Sequence, residues 1–551
     1  MIREEPKISE GTFDVIVIGA GINGAGIARD AAMRGLKVLL LDKGDIGSGT
    51  SSWSTRLIHG GLRYLEHGEL GLVRESLRER EALMHIAPHL IKSLPFLVPI
   101  YKGARRGPWT MRAGMIAYDV LSYDKTLPSH RMLSKAETLQ TLPALEPENL
   151  RGSAVYYDAQ VEFAERLVLE NAISAFEYGA AVLTYARVER FIMEGDIARG
   201  VEFTKEHRGS SPTIREGVSQ ERHSAAGSVV INAAGPWVDQ LLTKAGTVSP
   251  QLIGGTKGSH IIVAPFPGAP ACAIYVEAET DHRPFFIIPW NSNYLIGTTD
   301  TRYHGDLDHV QIETEEIDYL LRETNRIIPA ANLSRDRILY TYAGIRPLPF
   351  TGNKGEQSIT RRHFIRRHPQ VANLFSIVGG KLTTYRSLAE EAVDLVSKNT
   401  GRSIVKCKTD QVPLPGAATP DTVPNFADFC KAFKLNSALP VAISERLLRI
   451  YGTRSAAIVR LADDSSLAEV FDVETEAIAA EVVYAFEHEL AQTLTDCLLR
   501  RTMVGLNSTS GLNAVEAAGI IAQNYLGWPK DRVAEEVSSY RKYVERFRLT
   551  T

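Results

Sequence analysis

A short and nearly continuous run of apolar residues, Phe13–Ile18, opens the regular part of the chain. β-Branched residues dominate this run, as is typical of a strand that is covered on both faces. Three glycines and an alanine-rich helical stretch follow, and a second apolar run, 37–41, ends at Asp42. The pattern predicts a strand, a glycine turn, a helix and a second strand, which is the order of a dinucleotide-binding βαβ unit.

Each glycine of this turn has its own expected role. Gly19 allows the tight turn, Gly21 lets backbone N–H groups approach a pyrophosphate, and Gly24 allows the helix to pack closely on the strand. The helix N-terminus favours the negative charge. Asp42 is expected to accept hydrogen bonds from a ribose hydroxyl, and an acid there argues against a 2′-phosphate. This stretch predicts a dinucleotide and leaves the choice between NAD and FAD open.

A loop rich in glycine, serine and threonine comes next. Its hydroxyl groups can bind a phosphate or the ribitol chain of a flavin, and a solvated loop is the alternative. A histidine, two glycines, an arginine and a tyrosine follow within 59–64, where the backbone can approach a ligand closely. A helix is predicted from Glu69 to His85, after this loop.

The order of apolar strand, small-residue turn and helix recurs twice. The segment 228–239 (SVVINAAGPWVD) returns the chain to the nucleotide sheet, which an NAD-dependent domain does not need, so it favours FAD. The segment 374–385 (LFSIVGGKLTTY) resembles a nucleoside triphosphatase phosphate loop, but Phe375 replaces the first glycine and Leu382 follows the lysine. Three such turns predict a flavoprotein, with Lys381 near flavin N1 and C2=O.

Strands around 261–263, 285–289 and 294–298 predict a mostly antiparallel substrate sheet. His260, which precedes the first of them, is either a buried histidine with satisfied hydrogen bonds or a proton acceptor. Arg346 ends a later strand and is followed by a proline. Its planar fork matches phosphate or carboxylate oxygens, and a surface ion pair is the alternative.

The dinucleotide stretch followed by TSSWSTRLIHGGLRYLE resembles the FAD-dependent glycerol-3-phosphate dehydrogenases, a branch of the D-amino-acid-oxidase-like flavoproteins. The G-I-R-P sequence at 344–347 and the helical stretch EVVYAFEHELAQTLTDCLLRRTMVGL extend the resemblance over almost the whole chain. It implies an α/β fold with a Rossmann-like FAD-binding domain, a mostly antiparallel substrate-binding sheet and a C-terminal α-helical domain. The implied reaction oxidises glycerol 3-phosphate to dihydroxyacetone phosphate, and electrons pass through FAD to a quinone.

The resemblance also implies roles for individual side chains. Two histidines are candidate bases or orienting groups, two arginines hold the phosphate, a tyrosine lines the pocket, and a lysine contacts the flavin and is a candidate partner of the substrate oxygen. The expected catalytic residues are His59, Arg63, Tyr64, His260, Arg346 and Lys381. The expected cofactor-binding residues are Gly19, Gly21, Ile22, Asn23, Gly24, Asp42, Thr50, Ser51, Ser52, Ser54, Ala234, Gly235, Gly380, Lys381, Leu382 and Thr383.

Three rival functions remain. An oxidase that passes electrons to oxygen shares the same site and releases hydrogen peroxide. An amine or amino-acid oxidase belongs to the same superfamily. A flavin-binding sensor or scaffold that uses the helical C-terminal domain to bind partners is an alternative of another class.

Composition narrows the function classes. The chain has 551 residues, 44% of them hydrophobic, and a formal net charge of −3, so bulk charge does not suggest nucleic-acid binding. The four cysteines have no metal-ligand spacing, and Gln492 replaces the second histidine of an HExxH motif. No metal site is expected.

No apolar run approaches the ~18 residues that span a bilayer. The protein is expected in the cytoplasm, peripheral on the cytoplasmic face of the membrane.

The predicted domain division places an oxidoreductase core at 12–410 and a helical domain at 411–551, joined by a proline-rich linker at 413–420. FAD-binding segments are expected at about 12–95, 150–245 and 340–400, and substrate-domain segments at about 96–149 and 246–339. A polar run within 206–227 is expected to form an exposed hairpin tip or a partly disordered insertion. Long helices are predicted at 444–460, 475–501 and 511–546.

The segment 100–115 (IYKGARRGPWTMRAGM) interleaves cationic and aromatic residues. This composition suits an anionic membrane surface, and a basic loop near a phosphate substrate is the alternative. The expected partners are glycerol 3-phosphate, a quinone and an anionic membrane, while self-association into a homo-oligomer is left open.

Overall fold

The computed structural model describes residues 12–207, 219–244, 246, 248–352 and 359–549. Twenty strands lie within these ranges. They are β1 (Phe13–Ile18), β2 (Val38–Leu41), β3 (Leu57–Ile58), β4 (Ile91–Tyr101), β5 (Arg131–Ser134), β6 (Leu150–Val161), β7 (Ala181–Leu183), β8 (Ala186–Glu194), β9 (Ile197–His207), β10 (Ser219–Asn232), β11 (Thr256–Val263), β12 (Ala273–Glu277), β13 (Pro284–Trp290), β14 (Asn293–Gly297), β15 (Thr301–Arg302), β16 (Ile338–Arg346), β17 (Phe364–Arg367), β18 (Leu374–Val378), β19 (Val470–Asp472) and β20 (Ala477–Ile478).

The helices alternate with these strands up to β18 and dominate the chain after it. They are α1 (Ile22–Met33), α2 (Leu70–Ile86), α3 (Pro108–Leu121), α4 (Lys135–Thr141), α5 (Ala164–Glu177), α6 (Val238–Lys244), α7 (Thr314–Ile327), α8 (Tyr385–Thr400), α9 (Phe426–Asn436), α10 (Val441–Tyr451), α11 (Ser455–Leu461), α12 (Ala479–His488), α13 (Leu494–Asp496), α14 (Val515–Leu526) and α15 (Lys530–Val544).

The first sheet has the strand order β17-β18-β10-β1-β2-β7, and its strands from β18 to β7 run parallel. Because side chains alternate along a strand, Val15 and Val17 of β1 face the helix layer of α1, α5 and α8. Ile16 and Ile18 face the opposite layer, which is the antiparallel meander β8-β9-β10. The prediction that β1 is covered on both faces is confirmed. The polar tip expected between β9 and β10, at 208–218, lies outside the described residues.

The second sheet has ten strands in the main order β15-β11-β14-β13-β12-β4-β6-β3, with β16 paired to β11 and β5 to β6. Its described pairings are antiparallel except that of β4 with β12, as the substrate-sheet prediction expects. The predicted segment boundaries at 150 and 340 differ from this topology. Strands β6 and β16 follow those boundaries in the chain, yet both belong to the second sheet.

The C-terminal helices are shorter than the sequence pattern predicts. The helix expected at 444–460 is divided at Gly452, which has φ = +57°. The one expected at 475–501 is divided after His488, where Leu490 has φ = +58°, and it resumes at Leu494. The one expected at 511–546 is divided at Gly527. Because a left-handed residue cannot continue a right-handed helix, each division turns one predicted helix into two.

The proline-rich linker is packed against the core, although its composition predicts a free connection. The backbone N–H of Gly416 donates to Oε2 of Glu170 at 3.0 Å, and Oε1 of the same carboxylate lies 2.8 Å from Nε2 of His89. An added Cβ on Gly416 would lie 2.4 Å from Glu170 Oε1. A buried ion pair between Arg166 and Glu489, at 2.6 Å, further joins α5 to the C-terminal domain. The two parts of the chain are therefore tightly docked.

Candidate active site

The three glycine turns predicted from the sequence line one cavity of about 620 Å³. They follow β1, β10 and β18, which are parallel neighbours, so their carboxyl ends meet at the same edge of the first sheet. The predicted cofactor residues on the cavity wall are Gly19, Gly21, Ile22, Asn23, Asp42, Thr50, Ser51, Ser54, Ala234, Gly235, Gly380, Lys381 and Leu382.

Close backbone approaches require two of the glycines. Gly19 has φ = +107°, and an added Cβ would lie 2.6 Å from the carbonyl oxygen of Ala233 in the second turn. An added Cβ on Gly24 would lie 1.8 Å from the carbonyl oxygen of Gly19. Gly24 does not line the cavity, and its geometry fits the helix-packing role that the sequence predicts for the third glycine.

Asp42 lies at the cavity wall with both carboxylate oxygens bound to backbone. Oδ2 accepts from the N–H of Ala20 at 2.6 Å, and Oδ1 accepts from the N–H of Gly44 at 2.8 Å. Each carboxylate oxygen has a second lone pair, so a hydroxyl donor can still be accepted. Burial raises the pKa of Asp42, and the two backbone donors oppose that shift.

The hydroxyl residues of the following loop separate into two groups. Thr50 donates to the carbonyl of Ile345 at 2.7 Å, and Ser51 Oγ accepts from the N–H of Ile22 at 3.0 Å, both at the cavity wall. Ser52 is buried and donates to the carbonyl of Gly47 at 2.6 Å. It is not among the residues that line the cavity, and its hydrogen bond holds the loop.

The cavity wall fits a polar, dinucleotide-sized ligand. The volume of the cavity lies within the range of roughly 300–1,000 Å³ that is typical of cofactor pockets. Within the described residues, Asn23 Oδ1 and Trp237 Nε1 at this wall are buried and have no hydrogen-bond partner. Buried polar groups are almost always paired, so these atoms call for a polar ligand.

Lys381 lies where the cavity meets the second sheet. Its Nζ donates to Ser76 Oγ at 2.5 Å and stands 4.6 Å from the ring centroid of Tyr64. Burial lowers the pKa of Lys381 to about 8. Thr383 lies off the cavity wall, where its Oγ1 accepts from the backbone N–H of His59 at 3.2 Å. The third glycine turn is therefore joined to the histidine turn.

An arginine cluster surrounds one carboxylate on the second sheet. Asp300 binds Arg346 Nη1 through Oδ1 at 3.0 Å, and its Oδ2 binds Arg361 Nη2 at 3.0 Å and Arg283 Nη2 at 2.9 Å. Burial by itself would raise the pKa of Asp300, but the three guanidinium charges outweigh it and hold that pKa well below its usual range. Arg346 is therefore not in a surface ion pair.

The charges of this arginine cluster do not cancel. Three cations face one anion, and burial lowers the pKa of Arg346 to about 10. The charge of Arg63 acts on both Arg346 and Arg361, so Arg63 belongs to the same electropositive region. Within the described residues, Arg361 Nη1 is buried without a hydrogen-bond partner. The cluster can accept a dianion.

Arg361, Arg283 and Asp300 are members of the site that the sequence analysis did not predict. They lie in stretches such as TRRHFIRRH, whose charges are typical of a solvated surface. No local pattern distinguishes Arg361 from its charged neighbours. Only the pairing of β11 with β15 and β16 brings Asp300 and Arg346 together.

His59 lies in a turn whose backbone is hydrogen-bonded to β6. The centroids of the His59 and Phe286 rings are 6.4 Å apart in an edge contact, and burial lowers the pKa of His59 to about 4. Asp158 of β6 accepts from the N–H of Gly60 at 3.4 Å and is itself bound by Tyr118 at 2.7 Å and Arg80 at 2.5 Å. Asp158 is a buried strand residue, and α5 begins six residues later at Ala164.

His260 is buried on β11, and one of its two ring nitrogens is paired. Nε2 lies 3.0 Å from Oγ1 of Thr55, and the ring centroid is 4.8 Å from that of Tyr342. Nδ1 is buried and has no partner within the described residues. Burial lowers the pKa of His260 well below its usual value, so the imidazole is neutral near pH 7. Thr55 is a further site residue that the sequence analysis did not predict.

The described residues contain no group of three or more histidine, cysteine, aspartate or glutamate side chains that could hold a metal ion. Among the helices in the described ranges, none has the length and apolar character needed to cross a bilayer.

Two family models together match most of the chain. Residues 14–395 match the family model described as FAD dependent oxidoreductase, and residues 407–533 match that of the C-terminal domain of alpha-glycerophosphate oxidase. The chain is 46% identical to a glycerol-3-phosphate dehydrogenase of Synechocystis, across 99% of this chain and 98% of the relative. It is 36% identical to a D-erythritol 1-phosphate dehydrogenase of Brucella abortus, across 91% and 96% of the two chains.

A solved structure extends the comparison to three dimensions. The glycerol-3-phosphate dehydrogenase of Bacillus halodurans, crystallised with FAD, superposes with a TM-score of 0.78 at 27% identity and covers 98% of this chain and 96% of its own. The expected fold class and the expected cofactor, FAD, are confirmed.

Proposed function

We propose that this chain, which belongs to the family of FAD-dependent glycerol-3-phosphate dehydrogenases, oxidises sn-glycerol 3-phosphate at C2 to dihydroxyacetone phosphate. The observation that carries the proposal is the arginine cluster around Asp300, which is joined to the cofactor cavity through Tyr64 and Lys381. The charge of Arg361 acts on Tyr64, and Tyr64 in turn lies under the Lys381 ammonium.

The phosphate would lie among the arginines. A phosphate monoester carries roughly −1.5 to −2 charges near pH 7, which matches the excess of cations over the single carboxylate. The unpaired Nη1 of Arg361 supplies one donor, and Arg346 and Arg63 supply further positive charge. Asp300 would hold the guanidinium planes in place before the substrate arrives, so that little orientation has to be gained on binding.

Removal of the hydroxyl proton at C2 falls to a neutral imidazole. FAD, when bound, accepts the hydride from C2. His260 fits the role of base because a proton on Nε2, donated to Thr55 Oγ1, leaves the lone pair of Nδ1 free to accept. His59 is the second candidate, and burial keeps it neutral as well. Lys381 would place positive charge beside the flavin.

The cofactor would lie along the cavity wall in the direction that the sequence suggests. The pyrophosphate would approach Gly21 and the N-terminus of α1, and a ribose hydroxyl would meet Asp42. The turns at 234–235 and 380–382 would hold the flavin end.

For the electron acceptor we propose a membrane quinone, reached from an exposed apolar face on α3. Trp109, Ile116 and Val120 are 81%, 50% and 65% exposed and recur along one side of this helix, and Tyr123, which is 79% exposed, follows its end. Arg105 and Arg112 are exposed beside them. Such a pairing of apolar and cationic groups is typical of helices that lie at an anionic membrane surface.

Three residues of the basic and aromatic segment do not share this face. Met111 and Met115 are buried beneath α3, and Arg106 is paired with Glu66 and Glu277. The proposed membrane contact is therefore narrower than the sequence pattern suggests.

The proposal is tested with the purified yellow holoenzyme. Without oxygen, glycerol 3-phosphate should bleach the flavin, whereas glycerol should fail because it lacks the phosphate, and D-erythritol 1-phosphate is the competing substrate. The reduced enzyme should then be reoxidised by a soluble quinone analogue much faster than by oxygen. Rapid formation of hydrogen peroxide would favour the oxidase. Bleaching by an amino acid would favour an amino-acid oxidase. A flavin that no substrate bleaches would favour a sensor.

A further inference from the structure

The C-terminal domain forms part of the wall of the cofactor cavity. Thr493 and Thr495 line it from the start of α13, Ser539 and Tyr543 line it from α15, and Arg500 lines it from the π-helical turn at 497–501. The place of the C-terminal domain at the cavity gives it a part in holding the cofactor.

Arg500 is the charged member of this set and is fixed by two carboxylates. Its Nε donates to Asp45 Oδ2 at 2.5 Å, and its Nη2 donates to Asp496 Oδ1 at 2.7 Å. The side chain is only 3% exposed. Its remaining nitrogen, Nη1, is buried and has no hydrogen-bond partner within the described residues. A buried guanidinium N–H without an acceptor costs free energy, so the geometry calls for an acceptor that the protein does not supply.

The position of Arg500 identifies which half of the cofactor it meets. Asp45 follows Asp42, the residue expected at the ribose, by three positions in the loop after β2. Tyr185, which also lines the cavity, donates to the same Asp496 that binds Arg500, at 2.7 Å. The flavin end, by contrast, is expected near Lys381. The acceptor near Arg500 is therefore on the adenosine-diphosphate half.

We propose that Nη1 of Arg500 donates a hydrogen bond to the adenosine-diphosphate half of FAD, so that the bound cofactor holds the C-terminal domain against the nucleotide-binding domain. This proposal rests on the FAD dependence of the family and is independent of the substrate and of the electron acceptor.

The neighbouring Arg501 provides a matched control. It is fully buried and binds the same Asp45 through Nη1 at 2.5 Å and Nη2 at 2.8 Å. It is not among the residues that line the cavity. Loss of either arginine weakens the contact between the domains, but only loss of Arg500 removes the donor at the cavity wall.

The test compares wild-type protein with Arg500→Lys and Arg501→Lys. FAD release from each diluted holoenzyme is followed by flavin fluorescence, and full-length chains stripped of flavin are titrated with FAD, ADP and FMN. Arg500→Lys should raise the Kd for FAD and for ADP by about 10-fold or more, the loss expected for one hydrogen bond from a charged donor, and should leave the Kd for FMN unchanged. Arg501→Lys should lower the melting temperature and leave all three Kd values within about twofold.

Either of two results would overturn the proposal: wild-type affinity of Arg500→Lys for ADP and FAD, or an equal loss of affinity in Arg501→Lys. Because these variants alter a buried ion-pair network, a measurement on the wild-type chain accompanies them. ADP, but not FMN, should slow amide hydrogen exchange in the peptide 494–501 of the stripped full-length protein. Unchanged exchange with ADP would also refute the proposal, whether or not the substrate assignment holds.

Discussion

Oγ1 of Thr55 and Nε2 of His260 lie 3.0 Å apart, although 205 residues separate them in the chain. Thr55 follows the hydroxyl-rich loop of the nucleotide-binding domain, and His260 lies on β11 of the second sheet. This hydrogen bond therefore connects the end of the hydroxyl-rich loop to β11, next to the unpaired Nδ1 of the candidate base. The bond fixes the orientation of the ring, and it leaves Nδ1 free to accept a proton when Nε2 carries the ring proton.

Thr55→Val should slow flavin reduction by glycerol 3-phosphate about 10-fold, part of the 10²–10⁴ that a well-placed base contributes. The substitution removes the hydroxyl that orients His260 and leaves the volume of the side chain almost unchanged. Anaerobic stopped-flow measurement of flavin bleaching gives the rate, and the KM should change little. Thr55→Ser, which keeps the hydroxyl, is the control and should restore most of the rate. A wild-type rate in the valine variant would remove this positioning role.

Arg361→Gln should raise the KM for glycerol 3-phosphate about 10- to 100-fold, because a charged donor to the phosphate is lost. The flavin content should remain at the wild-type value, since Arg361 does not line the cofactor cavity. Steady-state kinetics and the absorbance ratio of flavin to protein give the two quantities. Arg335→Gln is the matched control, because Arg335 forms only a half-exposed ion pair with Asp318. An unchanged KM in Arg361→Gln would exclude the arginine from phosphate binding.

Lys381 should give the reaction a pH dependence near pH 8. Burial lowers the lysine pKa to about 8, so the ammonium charge is present below that pH and is lost above it. If the positive charge assists the flavin, kcat/KM should fall as the pH rises through about 8. Lys381→Arg should remove this fall because the guanidinium stays charged, and Lys381→Met should be slow at every pH. A rate that rises to a plateau above pH 8 would instead identify Lys381 as a base.

Asp45→Ala should destabilise the folded chain by about 3–5 kcal/mol, because it leaves the buried Arg500 and Arg501 without their shared carboxylate. Urea unfolding followed by circular dichroism measures the change. Asp318→Ala removes a half-exposed ion pair and should cost less than about 1 kcal/mol. Equal losses in the two variants would show that the contact between the domains contributes no more than a surface ion pair.

Replacement of the exposed apolar side chains Trp109 and Ile116 by serine should weaken binding to anionic phospholipid vesicles. These side chains are the ones that would enter the interface between headgroups and acyl chains. Vesicle cosedimentation measures the bound fraction, and the rate of flavin reduction by substrate should not change. Val473→Ser, at a residue that is 86% exposed in the C-terminal domain, is the control. Undiminished cosedimentation of the double variant would contradict the proposed membrane face.

The sequence alone determined the cofactor half of this protein. The first turn needs a residue with positive φ at Gly19 and a residue without a side chain at Gly24. Such requirements restrict the residue types within a few neighbouring positions, so the glycine turns could be recognised from local sequence. For the same reason β1, α1 and β2, and the position of Asp42 directly after β2, were predicted correctly. His260 and Arg346 became candidates because each adjoins a predicted strand and because of the family resemblance, and the structure places His260 within β11.

Only the tertiary structure decided the partners of those residues. Thr55 lies against His260 and Asp300 against Arg346, although the members of each pair are far apart in the chain, and the sequence gives no sign of such pairing because charged and hydroxyl side chains occur at every surface. The same limit applies to Ser52 and Thr383, whose hydroxyl groups form hydrogen bonds with the backbone of Gly47 and of His59. It applies most strongly to Arg500, which reaches the cavity only because the docked C-terminal domain carries it there.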